Sequence, residues 1–329
     1  MLALARGYAA QQNYGRARRW WTQAAQAGHA GAELELALCA LHGLDPGADL
    51  DTAVQRLQRA AEAGVAEAAY WCALLECGRD APDLLRIAQC WQQAIDGGHA
   101  PAIAALRPWQ RDDEHSAASI QRALRLSAAP AEILHADLNI AIHDDVLSAE
   151  ECAYLVARAT PWLQPAQVVD PATGAVDARA LRNNASANLP DAEGDLALRL
   201  IERRLTDLCA LHWRHAEALA LLRYQVGEEY RPHLDVLPAS DPRWQSPGGG
   251  GQRQTTVFVY LNPVAAGGHT AFPRLGIEVE PRQGRALRFD NLDREGRIAG
   301  NALHAGMPVQ SGEKWLATLW LRQRPLRPW

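Results

Sequence analysis

Three residues in the last third of the chain could together bind a metal ion. His233 and Asp235 form a His-x-Asp pair, and His304 follows in a later segment. On a β-strand, residues i and i+2 point to the same face, so His233 and Asp235 would face one cavity that a later strand carrying His304 closes over. Two imidazoles and one carboxylate with open positions are the ligand set of non-haem Fe(II) oxygenases. A His-x-Asp pair alone also occurs by chance in surface loops. The neighbouring residues must therefore distinguish a metal site from such a chance pair.

Short strands must position these side chains. The chain between and around the ligands alternates β-forming runs with turn signals such as Asn262-Pro263 and Gly267-Gly268. The predicted extended segments are 140–146, 221–226, 230–235, 255–261, 270–272, 277–279, 286–289 and 315–321. Short strands with frequent turns favour a small antiparallel barrel or jelly roll. Helices are predicted after Ser148, which forms a capping box with Glu151, and over Asp191–Ala218.

Five blocks of motif residues surround the three ligands. They read Arg223-Tyr224-x-x-Gly227-x-x-Tyr230-x-x-His233-x-Asp235; Gln252-Arg253-x-x-Thr256 leading to Tyr260-Leu261-Asn262; Gly267-Gly268-x-Thr270-x-Phe272-Pro273; Pro281-x-x-Gly284-x-Ala286-Leu287-x-Phe289; and His304-Ala305-Gly306-x-Pro308-Val309-x-x-Gly312-x-Lys314-Trp315. With these blocks in this order, residues 131–329 resemble the prolyl 4-hydroxylase family of Fe(II)/2-oxoglutarate dioxygenases. The resemblance implies a double-stranded β-helix, or jelly-roll, catalytic domain with flanking helices.

The resemblance also implies the cofactors and their ligands. His233, Asp235 and His304 would hold Fe(II), and Lys314 would pair with the distal carboxylate of 2-oxoglutarate, a role that suits a compact ammonium on a flexible stem. An ordinary exposed lysine is the alternative for Lys314. Dioxygen would convert 2-oxoglutarate to succinate and carbon dioxide while an unactivated C–H is hydroxylated, with ascorbate as a supporting reductant. Related halogenating enzymes lack the carboxylate, so Asp235 favours hydroxylation.

Further positions are carried over from the resemblance. Those expected at the cosubstrate are Tyr224, Thr270 and Tyr260, and those expected at the substrate are Tyr230, Arg253 and Trp320. Plain core packing explains Trp320 equally well. The family often has an acidic residue where this chain has His269, but strand alternation would turn His269 away from the face of Thr270, so we do not expect a fourth metal ligand.

Residues 1–110 differ in composition from the rest of the chain: they are rich in alanine and leucine, and one short sequence motif recurs in them. Ala24-Ala25-Gln26-Ala27-Gly28-His29-Ala30 matches Ala60-Ala61-Glu62-Ala63-Gly64-Val65-Ala66, and a third copy ends at Gly98-His99-Ala100. A motif that recurs at such regular intervals along the chain is typical of helical-hairpin solenoids. In these folds each glycine would end a helix in a left-handed cap. The repeats resemble the Sel-one-like, tetratricopeptide-related family. They would dock a protein or peptide, or serve as a rigid spacer or dimerisation element.

The sequence thus predicts an α+β multidomain protein: a helical repeat solenoid (1–110), a linker helix (111–130) and a catalytic domain (131–329). The net charge of −5 argues against binding to a nucleic-acid backbone, and no apolar run is long enough to span a membrane. Six scattered cysteines without zinc spacing are typical of a reducing cytoplasm.

The expected activity is hydroxylation of a prolyl residue in a peptide or protein. Two alternatives remain open: an oxygenase acting on a small molecule or another side chain, and an interaction scaffold that has lost turnover. The segment Val236–Gln254, rich in glycine and proline, is predicted to be a lid or substrate-gripping loop, or else an inert insertion.

Overall fold

The computed structural model describes residues 2–45, 47–111, 115–124, 130–166, 183–189, 195–238 and 249–327. These residues divide between two compact units. The first lies within residues 1–125 and 193–200, and the second within 126–192 and 201–328. Most of the predicted lid, residues 239–248, and parts of the predicted linker, residues 112–114 and 125–129, lie outside the described residues.

Helices make up the first unit. In chain order they are α1 (Leu2–Ala10), α2 (Tyr14–Gln26), α3 (Ala30–Leu41), α4 (Leu50–Glu62), α5 (Ala66–Cys77), α6 (Leu84–Asp96), α7 (Ala100–Ala104) and α8 (Ser116–Ala123). From α1 to α6 each helix packs against the next in the chain. Small residues such as Ala17, Ala24 and Ala32 lie buried around Trp21, so neighbouring helices approach closely.

The recurring glycines end their helices in the same way. Gly28, Gly64 and Gly98 have φ values of +85°, +86° and +74°, where a side chain would be strained. At each one the next residue donates a hydrogen bond of 3.0 Å to a carbonyl five residues back, as His29 does to Ala24. This is the six-to-one bond of a Schellman cap, so the predicted left-handed caps are confirmed at all three positions.

The second unit is built mainly from antiparallel strands. In chain order they are β1 (Ala131–His135), β2 (Ile140–His143), β3 (Gln164–Pro165), β4 (Ala185–Asn188), β5 (Ala220–Tyr224), β6 (Tyr230–His233), β7 (Arg253–Tyr260), β8 (Ala266–Gly267), β9 (Thr270–Phe272), β10 (Ile277–Val279), β11 (Ala286–Asp290), β12 (His304–Gly306), β13 (Val309–Ser311) and β14 (Lys314–Arg322). Helix α9 (Ala149–Ala159) lies within this unit, and α10 (Leu196–Leu208) contributes Leu196–Leu200 to the first unit and the remainder to the second.

The strands form three sheets. The largest has the order β1-β2-β11-β7-β14-β5-β4-β3, the second the order β10-β9-β12-β6, and the third pairs β13 with β8. Alternate residues of β7, including Phe258 and Tyr260, join Leu222 of β5 and Leu316 of β14 in one buried cluster. This alternation gives the large sheet an apolar face, as a half-buried antiparallel sheet requires.

Each strand predicted with bounds coincides with an observed strand to within three residues at either end. Strands β1, β3, β4, β8 and β13 were not predicted. The helix predicted to run to Ala218 ends at Leu208, because Ala210 adopts φ +52° and Leu211 donates back to the carbonyl of Thr206. That left-handed residue turns the chain toward β5 and so helps to place the strand that leads into the metal-binding pair.

Helix α9 is fixed by a carboxylate with two functions. The Glu151 carboxylate accepts from the backbone N–H of Ser148, and the Ser148 hydroxyl accepts from the backbone N–H of Glu151, which completes the capping box. The same carboxylate accepts from Nη1 of Arg204 at 2.8 and 2.9 Å, and both side chains are buried. This pair ties α9 to α10.

Replacing Glu151 with alanine should destabilise the protein by about 3–5 kcal/mol, because it leaves the Arg204 guanidinium buried without its anion. Replacing Ser148 with alanine removes only the cap and should cost about 1 kcal/mol. Urea unfolding of the two variants, followed by circular dichroism, measures the difference. Equal losses for both substitutions would contradict a dominant role for the buried pair.

Candidate active site

The three predicted metal ligands converge. His233 ends strand β6, and His304 begins strand β12 directly opposite it in the antiparallel register. Asp235 lies two residues beyond β6 and is almost fully buried. One donor atom from each of the three residues lies within 4.8 Å of the others, the only such group of three found among the described residues.

Hydrogen bonds fix the protonation of both imidazoles. Nδ1 of His233 lies 2.9 Å from the carbonyl oxygen of Arg231, and Nδ1 of His304 lies 3.0 Å from that of Ala302. A carbonyl only accepts, so each Nδ1 carries the proton and each Nε2 keeps a free lone pair. Metal-binding histidines are oriented in this way. The Nε2 atoms lie 3.5 Å (His233) and 3.7 Å (His304) from the Asp235 carboxylate.

The electrostatics of the site also favour metal binding. Burial alone would raise the pKa of Asp235, but the neighbouring imidazoles of His304 and His233 hold it well below its ordinary value. Burial, and then the nearby His233, lower the pKa of His304 to about 4, against a smaller opposing effect of Asp235. Near neutral pH, Asp235 is therefore an anion and His304 a neutral imidazole, and these are the forms that bind a metal. Together the residues fit Fe(II).

Lys314 lies in the same unit with its side chain fully buried. It is also the only lysine in the chain. Its Nζ donates to the carbonyl of Gly268 at 2.9 Å and lies 4.4 Å from the ring centre of Tyr224, its partner in the β5–β14 register. A β-carbon at Gly306, two residues after His304, would come within 3.4 Å of Nζ. The amine therefore lies against the strand that carries a metal ligand.

Lys314 pairs with no acidic side chain in the described part of the chain. Burial lowers its pKa to about 7, and no carboxylate opposes that shift. A buried lysine that lacks an anion is costly, because its charged form loses its hydration without compensation. Such a group is well suited to receive a carboxylate from a ligand.

Tyr260 and Thr270, two other residues predicted to bind the cosubstrate, form a hydrogen bond with each other. The Tyr260 hydroxyl lies 2.8 Å from Oγ1 of Thr270 and 3.2 Å from the carbonyl of Val279. Burial raises the pKa of Tyr260, so its hydroxyl stays protonated. Thr270 faces Gly306 in the β9–β12 register, which places this pair beside the same strand that Lys314 contacts.

The predicted substrate residues lie in two places. Tyr230 stacks on His233, with ring centres 3.4 Å apart, at the edge of the metal site. Arg253 lies 4.0 Å above the ring of Trp320 and donates two hydrogen bonds of 2.8 Å to Glu217. After the two imidazoles, the positive charge of Arg253 also helps to lower the pKa of Asp235.

Glu217 holds a second arginine as well. Arg322 donates to Glu217 at 3.1 Å and to the carbonyl oxygens of Gly249 and Gly251, where the chain enters β7. Burial alone would raise the pKa of Glu217, but Arg253 and Arg322 together hold it below its ordinary value. Nε2 of His269, which is not expected to bind the metal, lies 3.7 Å from the Glu278 carboxylate.

Sequence reasoning assigned no role to Glu217, Thr256 or Asn291. Thr256 lies on the inward face of β7 with Phe258 and Tyr260, so strand alternation from Tyr260 could have indicated it. Glu217 and Asn291 carry no local signal of this kind, because their partners are distant in sequence. The uniqueness of Lys314 was a signal that composition alone could have supplied.

Comparison with known proteins agrees with this geometry. A sequence profile described as the 2OG-Fe(II) oxygenase superfamily matches residues 219–322, which contain every ligand named above. Probable prolyl 4-hydroxylase 10 of Arabidopsis thaliana is 31% identical over 210 residues, covering 58% of this chain and 71% of the relative. Prolyl 4-hydroxylase 1 of the same plant is 32% identical over 215 residues, covering 61% and 75%. The chain belongs to the prolyl 4-hydroxylase family.

Two further similarities each cover 55% of the chain. The prolyl 4-hydroxylase subunit alpha-1 of Gallus gallus is 36% identical over 180 residues, covering 55% of this chain and 35% of that subunit. Among solved structures, the viral collagen prolyl hydroxylase of Paramecium Bursaria Chlorella virus-1 aligns with a TM-score of 0.43 and 26% identity, over 55% of this chain and 94% of the viral protein.

Membership of the family makes this protein a 2-oxoglutarate-dependent dioxygenase. Its cofactors are Fe(II), 2-oxoglutarate and dioxygen, and His233, Asp235 and His304 form a group that fits the metal. Within the part of the chain that the structure describes, no helix combines the length and the apolar character needed to cross a bilayer.

Proposed function

We propose that this protein hydroxylates a prolyl residue of a peptide or protein substrate. The observation that carries the proposal is the convergence of two Nδ1-protonated imidazoles and one buried carboxylate on a single point. The relatives named prolyl 4-hydroxylase support the choice of substrate class. The catalytic part would be a double-stranded β-helix that spans residues 131–329.

The chain's own residues would bind, orient and protect the reactants. Bound Fe(II) would supply the redox chemistry by which dioxygen and 2-oxoglutarate yield succinate, carbon dioxide and the hydroxylated product. Lys314 would bind the distal carboxylate of 2-oxoglutarate, with Tyr224, Thr270 and Tyr260 around it. Phe289 packs on His304 with ring centres 4.6 Å apart and would help to exclude water.

The substrate would approach from the side of Tyr230, Arg253 and Trp320. Arg253 is held in place by Glu217 and by the Trp320 ring, so it would present a preorganised donor rather than a flexible one. A hydrogen bond to a peptide carbonyl is the contact that such a guanidinium can offer.

The helical unit would serve the same substrate class. Residues 1–110 would be a Sel-one-like repeat array that docks a peptide or protein, joined by a linker over residues 111–130. The repeated caps at Gly28, Gly64 and Gly98 support a repeat architecture. All six cysteines are free thiols, which supports a reducing, cytoplasmic location.

Binding of 2-oxoglutarate should depend on pH through Lys314. Below pH 7 the free protein already carries the ammonium, so affinity should be constant there. Above about pH 7 a proton must be taken up when the carboxylate binds, so affinity should fall by up to about tenfold per pH unit. Because Lys314 is the only lysine, 13C-lysine labelling gives one side-chain Cε signal that reports its pKa with and without 2-oxoglutarate. An unchanged pKa on binding would contradict the pairing.

The function itself is tested by coupled turnover. The full chain, Fe(II), ascorbate and 2-oxoglutarate should form succinate and hydroxyproline in equal amounts with proline-containing peptides. Matched peptides with alanine in place of proline are the control, and free proline distinguishes a small-molecule enzyme. A protein that forms no succinate with any of these would refute the proposal and favour a scaffold.

A further inference from the structure

Two buried polar residues, Thr256 and Asn291, are connected to the metal ligand Asp235 by hydrogen bonds. We propose that Asn291 and Thr256 form a relay that fixes the orientation of the Asp235 carboxylate, so that Oδ1 is the oxygen presented to the metal. The inference rests on the metal-binding function proposed above. It makes Thr256 and Asn291 positioning residues, since they act through Asp235.

The relay consists of two hydrogen bonds. Oγ1 of Thr256 lies 2.9 Å from Oδ2 of Asp235, and Nδ2 of Asn291 lies 2.9 Å from the same Oγ1. A metal-binding carboxylate only accepts, so the single hydroxyl proton of Thr256 must point to Asp235. The lone pairs of that hydroxyl then face Asn291, whose amide can only donate to them. The direction of both bonds is therefore fixed by the charge of Asp235.

Because the three residues are buried, these two hydrogen bonds strongly influence the position of the Asp235 carboxylate. Thr256 is completely buried, Asn291 is 1% exposed and Asp235 is 6% exposed. Water cannot easily replace a lost donor at such depth, and hydrogen bonds to a charged group are worth more than those between neutral groups. The backbone of Asn291 is also held, since its N–H donates to Gln254 and its carbonyl accepts from Ala299. The relay is thus anchored at its far end.

The relay leaves the two carboxylate oxygens unlike each other. Oδ2 is held by Thr256 and lies 3.7 Å from Nε2 of His304, whereas Oδ1 lies 3.5 Å from Nε2 of His233. The hydrogen bond to Oδ2 opposes rotation of the carboxyl group and takes up one of the lone pairs of Oδ2, so Oδ1 would be the oxygen presented to the metal. Partners of this kind behind a metal ligand typically contribute 10–100-fold to metal affinity.

The neighbouring threonine provides a matched control. Thr255 is 3% exposed and points to the opposite side of β7, where its Oγ1 donates to Asp290 at 2.7 Å. Thr255→Val and Thr256→Val therefore remove the same hydroxyl from the same strand at similar depth. Only the second change touches the metal ligands.

The test measures Co(II) binding to the full chain, by calorimetry and by the ligand-field absorption of the bound ion. Thr256→Val should weaken Co(II) binding about 10–100-fold and alter the absorption bands. Thr256→Ser, which keeps the hydroxyl, and Thr255→Val should both bind as the wild type does. Asn291→Leu should weaken binding less, and should add nothing in the Thr256→Val background because both act through one hydroxyl.

Three outcomes would overturn the relay. One is wild-type affinity in Thr256→Val, another is an equal loss in Thr255→Val, and the third is an independent, additive loss from Asn291→Leu. Circular dichroism melting of each variant separates these results from misfolding, and the serine variant keeps the test valid if the valine variant is unstable. A wild-type protein that binds no Co(II) would instead refute the proposed function, and the relay with it.

Discussion

The Asp235→Ala protein should form no hydroxylated product and no product-coupled succinate. Asp235 is the only anion among the three ligands, and its loss would leave two neutral imidazoles to hold a divalent ion. A metal contributes several kcal/mol to such chemistry, and each 1.4 kcal/mol is a tenfold change, so turnover should fall below about one-thousandth of the wild-type rate. Mass spectrometry of the peptide together with succinate quantification measures this effect.

A carboxylate remote from the site serves as its control. Asp137 has a side chain that is 84% exposed, so Asp137→Ala should retain normal turnover. Metal analysis of both proteins should show loss of bound iron only in the Asp235 variant. Full coupled turnover by Asp235→Ala would show that the metal is bound elsewhere.

Replacing Lys314 with methionine should abolish tight 2-oxoglutarate binding while iron binding persists. Methionine keeps much of the length and apolar character of the lysine stem but removes the ammonium. Truncating one partner of a buried charge pair costs about 2–5 kcal/mol, which corresponds to a loss of affinity of about 30-fold to several thousand-fold. Calorimetric titration with 2-oxoglutarate in the presence of metal measures the dissociation constant.

The substitution also has a matched comparison. Arg282 is a basic residue of the same unit with a side chain that is 69% exposed, so Arg282→Met should leave the affinity for 2-oxoglutarate unchanged. Lys314→Arg should restore binding only partly, since a planar guanidinium differs in shape and donor geometry from a compact ammonium. Wild-type affinity in Lys314→Met would exclude Lys314 as the carboxylate partner.

The sequence predicted the strands around the metal site closely because their signals are local. Thr270–Phe272 and Ile277–Val279 were placed without error, since turn residues bracket each short β-forming run. The helix cap at Ser148 could likewise be predicted, because Ser148 and Glu151 lie within one helical turn of each other. The end of α10 was misplaced because Ala210 adopts a left-handed backbone conformation, which is not expected for an alanine.

The environment of the ligands could not be predicted from spacing. The triad residues themselves follow from motif order, but Thr256 meets Asp235 only in the folded chain, and Asn291 reaches Thr256 only when β7 and β11 pair. The bridge from Glu217 to Arg253 and Arg322 likewise depends on strands separated by more than thirty residues. Long-range pairing of this kind is set by the tertiary fold and leaves no periodic pattern in one sequence.

The solitary, enclosed lysine has a consequence for the exterior of the molecule. Apart from Lys314 and the histidines, every basic side chain is a guanidinium, which does not lose its proton at any pH that a folded protein tolerates. The outer surface therefore offers no lysine amine to acylating reagents or aldehyde fixatives. Lys314 would become their target only when its buried amine is exposed, and a bound dicarboxylate would shield it, so labelling of this one amine would report the occupancy of its site by 2-oxoglutarate.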